Sequence, residues 1–134
     1  MADPTQPQAR VLVIEDDDDV RDALLVLLHA QGWPSVGVTT GAQAMALLKQ
    51  GLRPLAIILD LMLPGATGLE FRAEQLSDPD IAGIPTIVVS AVVQGESVRR
   101  ALHATEFLPK PIDIDRLVDI IRSHCPESGP PPPA

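Results

Sequence analysis

Four short apolar runs along the chain each close on a polar group: Val11–Ile14 on Glu15 and Asp16, Leu55–Leu59 on Asp60, Thr86–Val89 on Ser90, and Phe107–Pro109 on Lys110. Val11–Ile14 is continuous, as for a central strand covered on both faces, and Leu55–Leu59 is the most apolar of the set. Between the runs the period becomes helical. Val20, Leu24, Leu27, Leu28 and Gln31 share one face and predict a helix over about 19–31, capped by Asp18 or Asp19 and stopped by Gly32. Ser35–Thr39 is a weaker strand behind Pro34 and suits a sheet edge. Thr40 caps a helix over about 41–50, ended by Gly51 and Pro54. Pro64–Gly68 reads as a loop made flexible by Gly65 and Gly68, followed by a helix over about 69–77. Pro79 and Pro85 bracket a further loop, 94–104 carries a short helix, and Phe107–Leu108 is a very short strand. Ile114, Leu117, Val118 and Ile121 mark an amphipathic last helix. Five strands alternating with five helices predict repeated βα units and a parallel sheet.

The 134 residues fit one domain, expected over 10–125, with a disordered lead-in at 1–9 and a proline-rich disordered tail at 126–134. Pro130–Pro133 cannot continue a helix and favour polyproline II. A net charge of -8 argues against nonspecific nucleic-acid binding, which needs Lys and Arg to replace phosphate counterions. Trp33, Phe71 and Phe107 are the only aromatics, which removes a stacking platform for single strands. The single cysteine, Cys125, suits a reducing compartment. With no apolar stretch of bilayer length and a polar start, a soluble cytoplasmic protein without membrane contact is expected. His29, His103 and His124 fall on separate helices and read as surface residues.

In an open parallel sheet, ligands bind in the crevice outside the carboxyl ends of the strands, so the polar groups that end the four runs converge there. Glu15–Asp19 is an unbroken run of acids abutting a buried strand. Each close carboxylate pair costs roughly 4 kcal/mol at 4 Å and an effective dielectric near 20, and a divalent cation is the obvious neutraliser. Oxygen ligands with room for water describe Mg²⁺ better than zinc, which favours His and Cys. Asp60 in such company can act as a nucleophile toward phosphorus. Lys110 would pair with the phosphoryl oxygens and Ser90 would hydrogen-bond to one of them.

These residues resemble the receiver domains of two-component response regulators, in the CheY-like class. The matching segments are Val11-Leu12-Val13-Ile14-Glu15-Asp16-Asp17, Asp60-Leu61-Met62-Leu63-Pro64-Gly65 with Gly68-Leu69-Glu70, Val88-Val89-Ser90-Ala91, and Phe107-Leu108-Pro109-Lys110-Pro111. The resemblance implies a flavodoxin-like (βα)5 α/β fold, its five-stranded parallel sheet in the order 2-1-3-4-5 with helices on both faces. It implies that Asp60 accepts phosphate from a sensor histidine kinase or a histidine phosphotransfer protein. Asp16 and Asp60 would bind Mg²⁺ directly, Glu15 through water, and Met62 through its backbone carbonyl. Ser90 matches the switch hydroxyl, Ala91 the small residue beside it, Phe107 the aromatic rotamer switch, and Lys110 the family's lysine, with a cis bond to Pro111. Phosphorylation would shift populations on the face of the fourth helix, fifth strand and fifth helix. That face would serve a downstream protein or a detached output domain, with homodimerisation left open.

Two departures from the family stand out. Thr67 occupies the place of a common aspartate, and Ala101–Phe107 lacks about two residues of the usual Gly-Ala-Asp type turn, which leaves the fourth helix short or shifted. Met62 and Val92 are apolar where relatives steer the hydrolytic water, which predicts a long-lived phosphoryl group. Ile120, Val93 and Val98 are expected to be exposed on the signalling face. The chain reads as a signalling switch with slight self-catalysis, not an enzyme on a separate substrate. The competing readings are a receiver-like binding module that is never phosphorylated, and a phosphatase of the haloacid-dehalogenase type. The latter needs a second acid where Met62 stands. No Gly-rich turn follows Val11–Ile14 to suit a dinucleotide or flavin.

Overall fold

The computed structural model describes residues 9–62, 68–92 and 95–124. Its elements are β1 (Val11–Ile14), α1 (Asp18–Ala30), β2 (Ser35–Val38), α2 (Gly41–Lys49), β3 (Ala56–Asp60), α3 (Gly68–Leu76), β4 (Thr86–Ser90), α4 (Glu96–Leu102), β5 (Glu106–Pro109) and α5 (Ile114–His124). The strands form one parallel sheet in the order β2-β1-β3-β4-β5, with β2 at an edge.

Successive residues of a strand point to opposite faces, so the continuous apolar runs feed two cores at once. Val11, Val13, Ile58, Ile87 and Val89 pack with Leu24 and Leu28 of α1 and Leu117 and Ile121 of α5. Leu12, Ile14, Ile57, Leu59 and Val88 pack with Ala44 and Leu48 of α2, Phe71 of α3 and Leu102 of α4. Helices therefore cover both faces, and the strand ends stay open for chemistry.

Local signals account for most helix limits. Thr40 caps α2 through a capping box with Gln43. Gly32 and Gly51 take positive φ just beyond α1 and α2, where a side chain would be strained. The cap of α1 is Asp17, which accepts from the Val20 N–H at 3.1 Å, and Asp18 and Asp19 lie inside the first helical turn. The cap thus lies one or two residues before the expected Asp18 or Asp19. β3 and β4 extend to include Asp60 and Ser90, because the ladder continues past the apolar residues. α4 is shorter than the expected 94–104, and His103 closes it in the left-handed region at φ 47.

Ile120, expected on the surface, is buried against the α1 side of the sheet, and Val98 is half-buried. His29, His103 and His124 are exposed. Ala9, placed in the lead-in, is buried at 8% exposure. Val93, Thr67, Cys125, the tail at 126–134 and the loop residues Pro64 and Gly65 lie outside the described residues.

Candidate functional site

Parallel pairing aligns the carboxyl ends of β1, β3, β4 and β5. The Glu15 N–H donates to the Val38 carbonyl, Asp60 pairs with Val89, Ser90 pairs with Pro109, and the Lys110 N–H donates to the Ser90 carbonyl. Four groups far apart in the chain consequently meet at one rim. Glu15 and Asp60 are 2% and 4% exposed, whereas Asp16 faces solvent. One carboxylate oxygen from each of Glu15, Asp16 and Asp60 lies within 4.8 Å of the other two.

Lys110 Nζ donates to Glu15 Oε1 at 2.7 Å and to Asp60 Oδ2 at 3.3 Å. The repulsion between buried carboxylates is therefore answered first by this ammonium. Asp60 Oδ1 accepts from the Met62 N–H at 3.0 Å, and Glu15 Oε2 accepts from the Asp17 N–H at 3.3 Å. Burial, reinforced by the neighbouring Asp60 carboxyl, pushes Glu15 up to about 7, although Lys110 and the Asp17 N–H pull it down. Burial alone would lower Lys110, but the Glu15 hydrogen bond and the two negative charges outweigh it and hold the amine above its ordinary range.

Neighbouring residues fix this rim. Arg21 on α1 donates from Nη1 to the Glu15 carbonyl at 3.0 Å and from Nη2 to Asp18 at 2.6 Å. Its stem crosses Gly37 of β2, where an added Cβ would sit 2.9 Å from the arginine methylenes. A Cβ on Gly68 would lie 2.8 Å from the Asp60 carbonyl oxygen and from Leu61 Cα, so α3 can start against the end of β3 only with glycine there. Neither Arg21 nor Gly68 was singled out for a site role from the sequence. The Lys110–Pro111 bond is cis, in agreement with the resemblance.

A profile of the response regulator receiver domain matches residues 11–122. The chain belongs to the response regulator receiver domain family. It is 29% identical over 117 residues to the DNA-binding response regulator MtrA of Mycobacterium tuberculosis strain H37Rv, covering 86% of this chain and 50% of that protein. This receiver thus spans about half of MtrA's length. The crystal structure of a sensor protein from Polaromonas sp. JS666 superposes with a TM-score of 0.79 at 27% identity, covering 90% of this chain and 98% of that one. The Mn²⁺-bound form of the response regulator Rcp1 superposes with a TM-score of 0.69 at 26% identity, covering 84% and 88%.

Beside the acidic rim of this receiver, a cavity of about 210 Å³ is lined by Ser90, Ala91, Val92, Arg99, Phe107 and Leu108. Ser90 Oγ accepts from the Val92 N–H at 3.1 Å. Phe107 is half-buried, and the Arg99 guanidinium stands 4.2 Å from its ring centre. The receiver's Met62 and Val92 are 62% and 59% exposed at the rim. No helix among the described residues is long and apolar enough to cross a membrane.

Proposed function

We propose that this receiver is a Mg²⁺-dependent phosphoacceptor at Asp60, supplied by a sensor histidine kinase or a histidine phosphotransfer protein in the cytoplasm. One observation carries the reading: a buried Asp60 carboxylate with one oxygen on the Met62 N–H and the other on Lys110, within 4.8 Å of two more acids. A carboxylate oxygen of Asp60 attacks the phosphorus of phosphohistidine, the P–N bond breaks, and the imidazole nitrogen leaves with the bonding pair and takes up a proton. Lys110 pairs with the incoming phosphoryl oxygens, and Ser90 donates its hydroxyl to one of them.

The donor set of Glu15, Asp16 and Asp60, completed by the Met62 carbonyl, is all oxygen and fits a hard divalent cation. That fit agrees with the metal-bound state of the relative Rcp1. When bound, such an ion neutralises charge on the transferring group. The domain then acts once on itself rather than turning over a separate substrate. An apolar groove of about 440 Å³ beside the site is lined by Val20, Leu24, Leu27, Lys110, Pro111 and Ile114.

Ser90, drawn toward the phosphoryl group, vacates space that Phe107 can fill, with Ala91 small enough to permit the shift. The face built from α4, β5 and α5 then binds its partner, a downstream protein or an output domain. The apolar Met62 and Val92 cannot orient water, so the aspartyl phosphate is long-lived; its loss within seconds from isolated phosphoprotein would contradict this. The deciding experiment is incubation with acetyl phosphate and Mg²⁺, read by intact mass. Wild type gains one phosphoryl group and Asp60→Ala gains none; an equal gain in both, or none in wild type, overturns the reading.

A further inference from the structure

Arg72 on α3 is only 4% exposed, and the chemistry at Asp60 makes no use of it. Its guanidinium serves neutral acceptors: Nε donates to the Leu102 carbonyl and Nη2 to the His103 carbonyl, both at 2.7 Å. Nη1 donates to Gln75 Oε1 at 2.8 Å and to Thr86 Oγ1 at 3.1 Å. Burial lowers its pKa, and no carboxylate among the described residues pairs with it.

These partners tie three elements together. A cation facing the last carbonyls of α4 matches the negative end of that helix and satisfies acceptors that have no partner within it. Thr86 begins β4 and is fully buried, and its backbone exchanges hydrogen bonds with Thr105 on the way into β5. The end of α4 is therefore locked to the base of β4, whose other end carries Ser90.

The start of α4 is held differently. Gly95 offers no side chain to cap it, Gly95–Ser97 are exposed, and the link toward the switch cavity is the Arg99 guanidinium on Phe107. The C-terminal end of this seven-residue helix is clamped by a buried charge, whereas its middle rests Val98 on the core and Arg99 on the aromatic ring beside Ser90, and its first turn is exposed.

We propose that Arg72 is the fixed pivot of α4, so that phosphorylation moves the N-terminal half of the helix about an immobile C-terminus. The proposal rests on the reading of Asp60 as phosphoacceptor. Filling of the cavity by Phe107 displaces Arg99 and swings the first turn of α4, while Leu102–Thr105 stays in place. The surface offered to a partner then changes at Glu96–Arg99 and not at the far end of the helix.

Amide hydrogen exchange followed by mass spectrometry, with and without acetyl phosphate and Mg²⁺, tests this on the full chain. In wild type, phosphorylation changes exchange across Glu96–Arg99 and leaves Leu102–Thr105 as it was. In the resting protein, Arg72→Lys keeps the charge but loses the fork, and speeds exchange at Leu102–Thr105 on the order of tenfold, the scale of a lost charged hydrogen bond. Arg99→Ala, at an exposed position, speeds exchange only at the start of α4 and covers the case in which Arg72 variants do not fold. A uniform change along α4 on phosphorylation, or unchanged exchange at Leu102–Thr105 in Arg72→Lys, overturns the pivot. Failure of wild type to gain phosphate by intact mass overturns the reading of Asp60 instead, a result separable from the resting-state arm.

Discussion

Substituting Gly68→Ala tests whether the start of α3 positions Asp60. The new Cβ would stand 2.8 Å from the Asp60 carbonyl oxygen, 2.8 Å from Leu61 Cα and 3.0 Å from the Leu61 carbonyl oxygen. All three are backbone atoms, and all lie well inside the roughly 3.5–4.0 Å at which carbon contacts are optimal. No flexible side chain can give way, so the end of β3 or the first turn of α3 must move. The backbone conformation at Gly68 is one that alanine can adopt, and reduced freedom of the unfolded chain returns about 0.4–1 kcal/mol. Overpacking of this kind costs about 1–3 kcal/mol, and the middle of that range less the return leaves a net loss of about 1–1.6 kcal/mol. For a domain of this size that loss lowers Tm by roughly 3–8 °C, so the variant remains folded at 25 °C. Phosphorylation suffers more than stability, because a misplacement of about 1 Å at a reacting group can cost on the order of a hundredfold in rate. Thermal melting and the rate of mass gain with acetyl phosphate at 25 °C measure the two effects. A variant that melts with wild type and accepts phosphate at the wild-type rate would refute the positioning role.

Three further outcomes follow from the same contacts. In metal-free protein, Glu15 is raised from 4.5 to about 7, so the folded state binds this proton more readily than the unfolded state; its contribution to stability is full below about pH 4.5 and is lost as pH rises through about 7. Denaturant titrations in chelator should show that decline, and Glu15→Gln should remove it; a slope identical in both proteins would sink the assignment. Lys110→Met leaves two buried carboxylates without their cation and costs about 3 kcal/mol at pH 8, less at pH 6 where Glu15 takes up a proton, and phosphoryl transfer falls on the order of a hundredfold. Urea unfolding at the two pH values and intact mass check both parts, and equal destabilisation at each pH would contradict the first. Thr40→Ala removes the capping box of α2, costs about 1 kcal/mol by the same unfolding assay, and leaves phosphate uptake unchanged, since α2 supplies no group to the rim.

The two-sided core and the four polar strand ends were legible in the sequence because continuous apolar runs have few alternatives in a chain of alternating βα units. The apolar pattern puts Asp60 and Ser90 one position outside their strands. Side-chain polarity ends the apolar pattern there, but backbone pairing continues for another residue. The sequence misplaces the cap of α1 because the run of five acids holds four aspartates, each of which is a competent cap. Asp17 takes the position because its backbone is still extended where Asp18 is already helical, and the Asp18 carboxylate is engaged by Arg21. Arg72 was invisible for a stronger reason. An arginine on a short helix reads as surface until the acceptors from α4 and β4 are seen around it, and those come from residues up to 31 positions away. Ile120 belongs to a buried stripe on α5 wider than the four residues that marked the helix.

Lys110 holds Glu15 and Asp60 with a single ammonium, and that sharing has a thermodynamic consequence. Any anion that recruits this lysine leaves Glu15 short of positive charge, and any cation that settles among the acids sets the lysine free. The two occupants therefore favour each other, by an amount that must be the same whichever arrives first. If Asp60 is the phosphoacceptor proposed above, cooperativity between a bound metal and the phosphoryl group would be built into one side chain, with no movement of the sheet required.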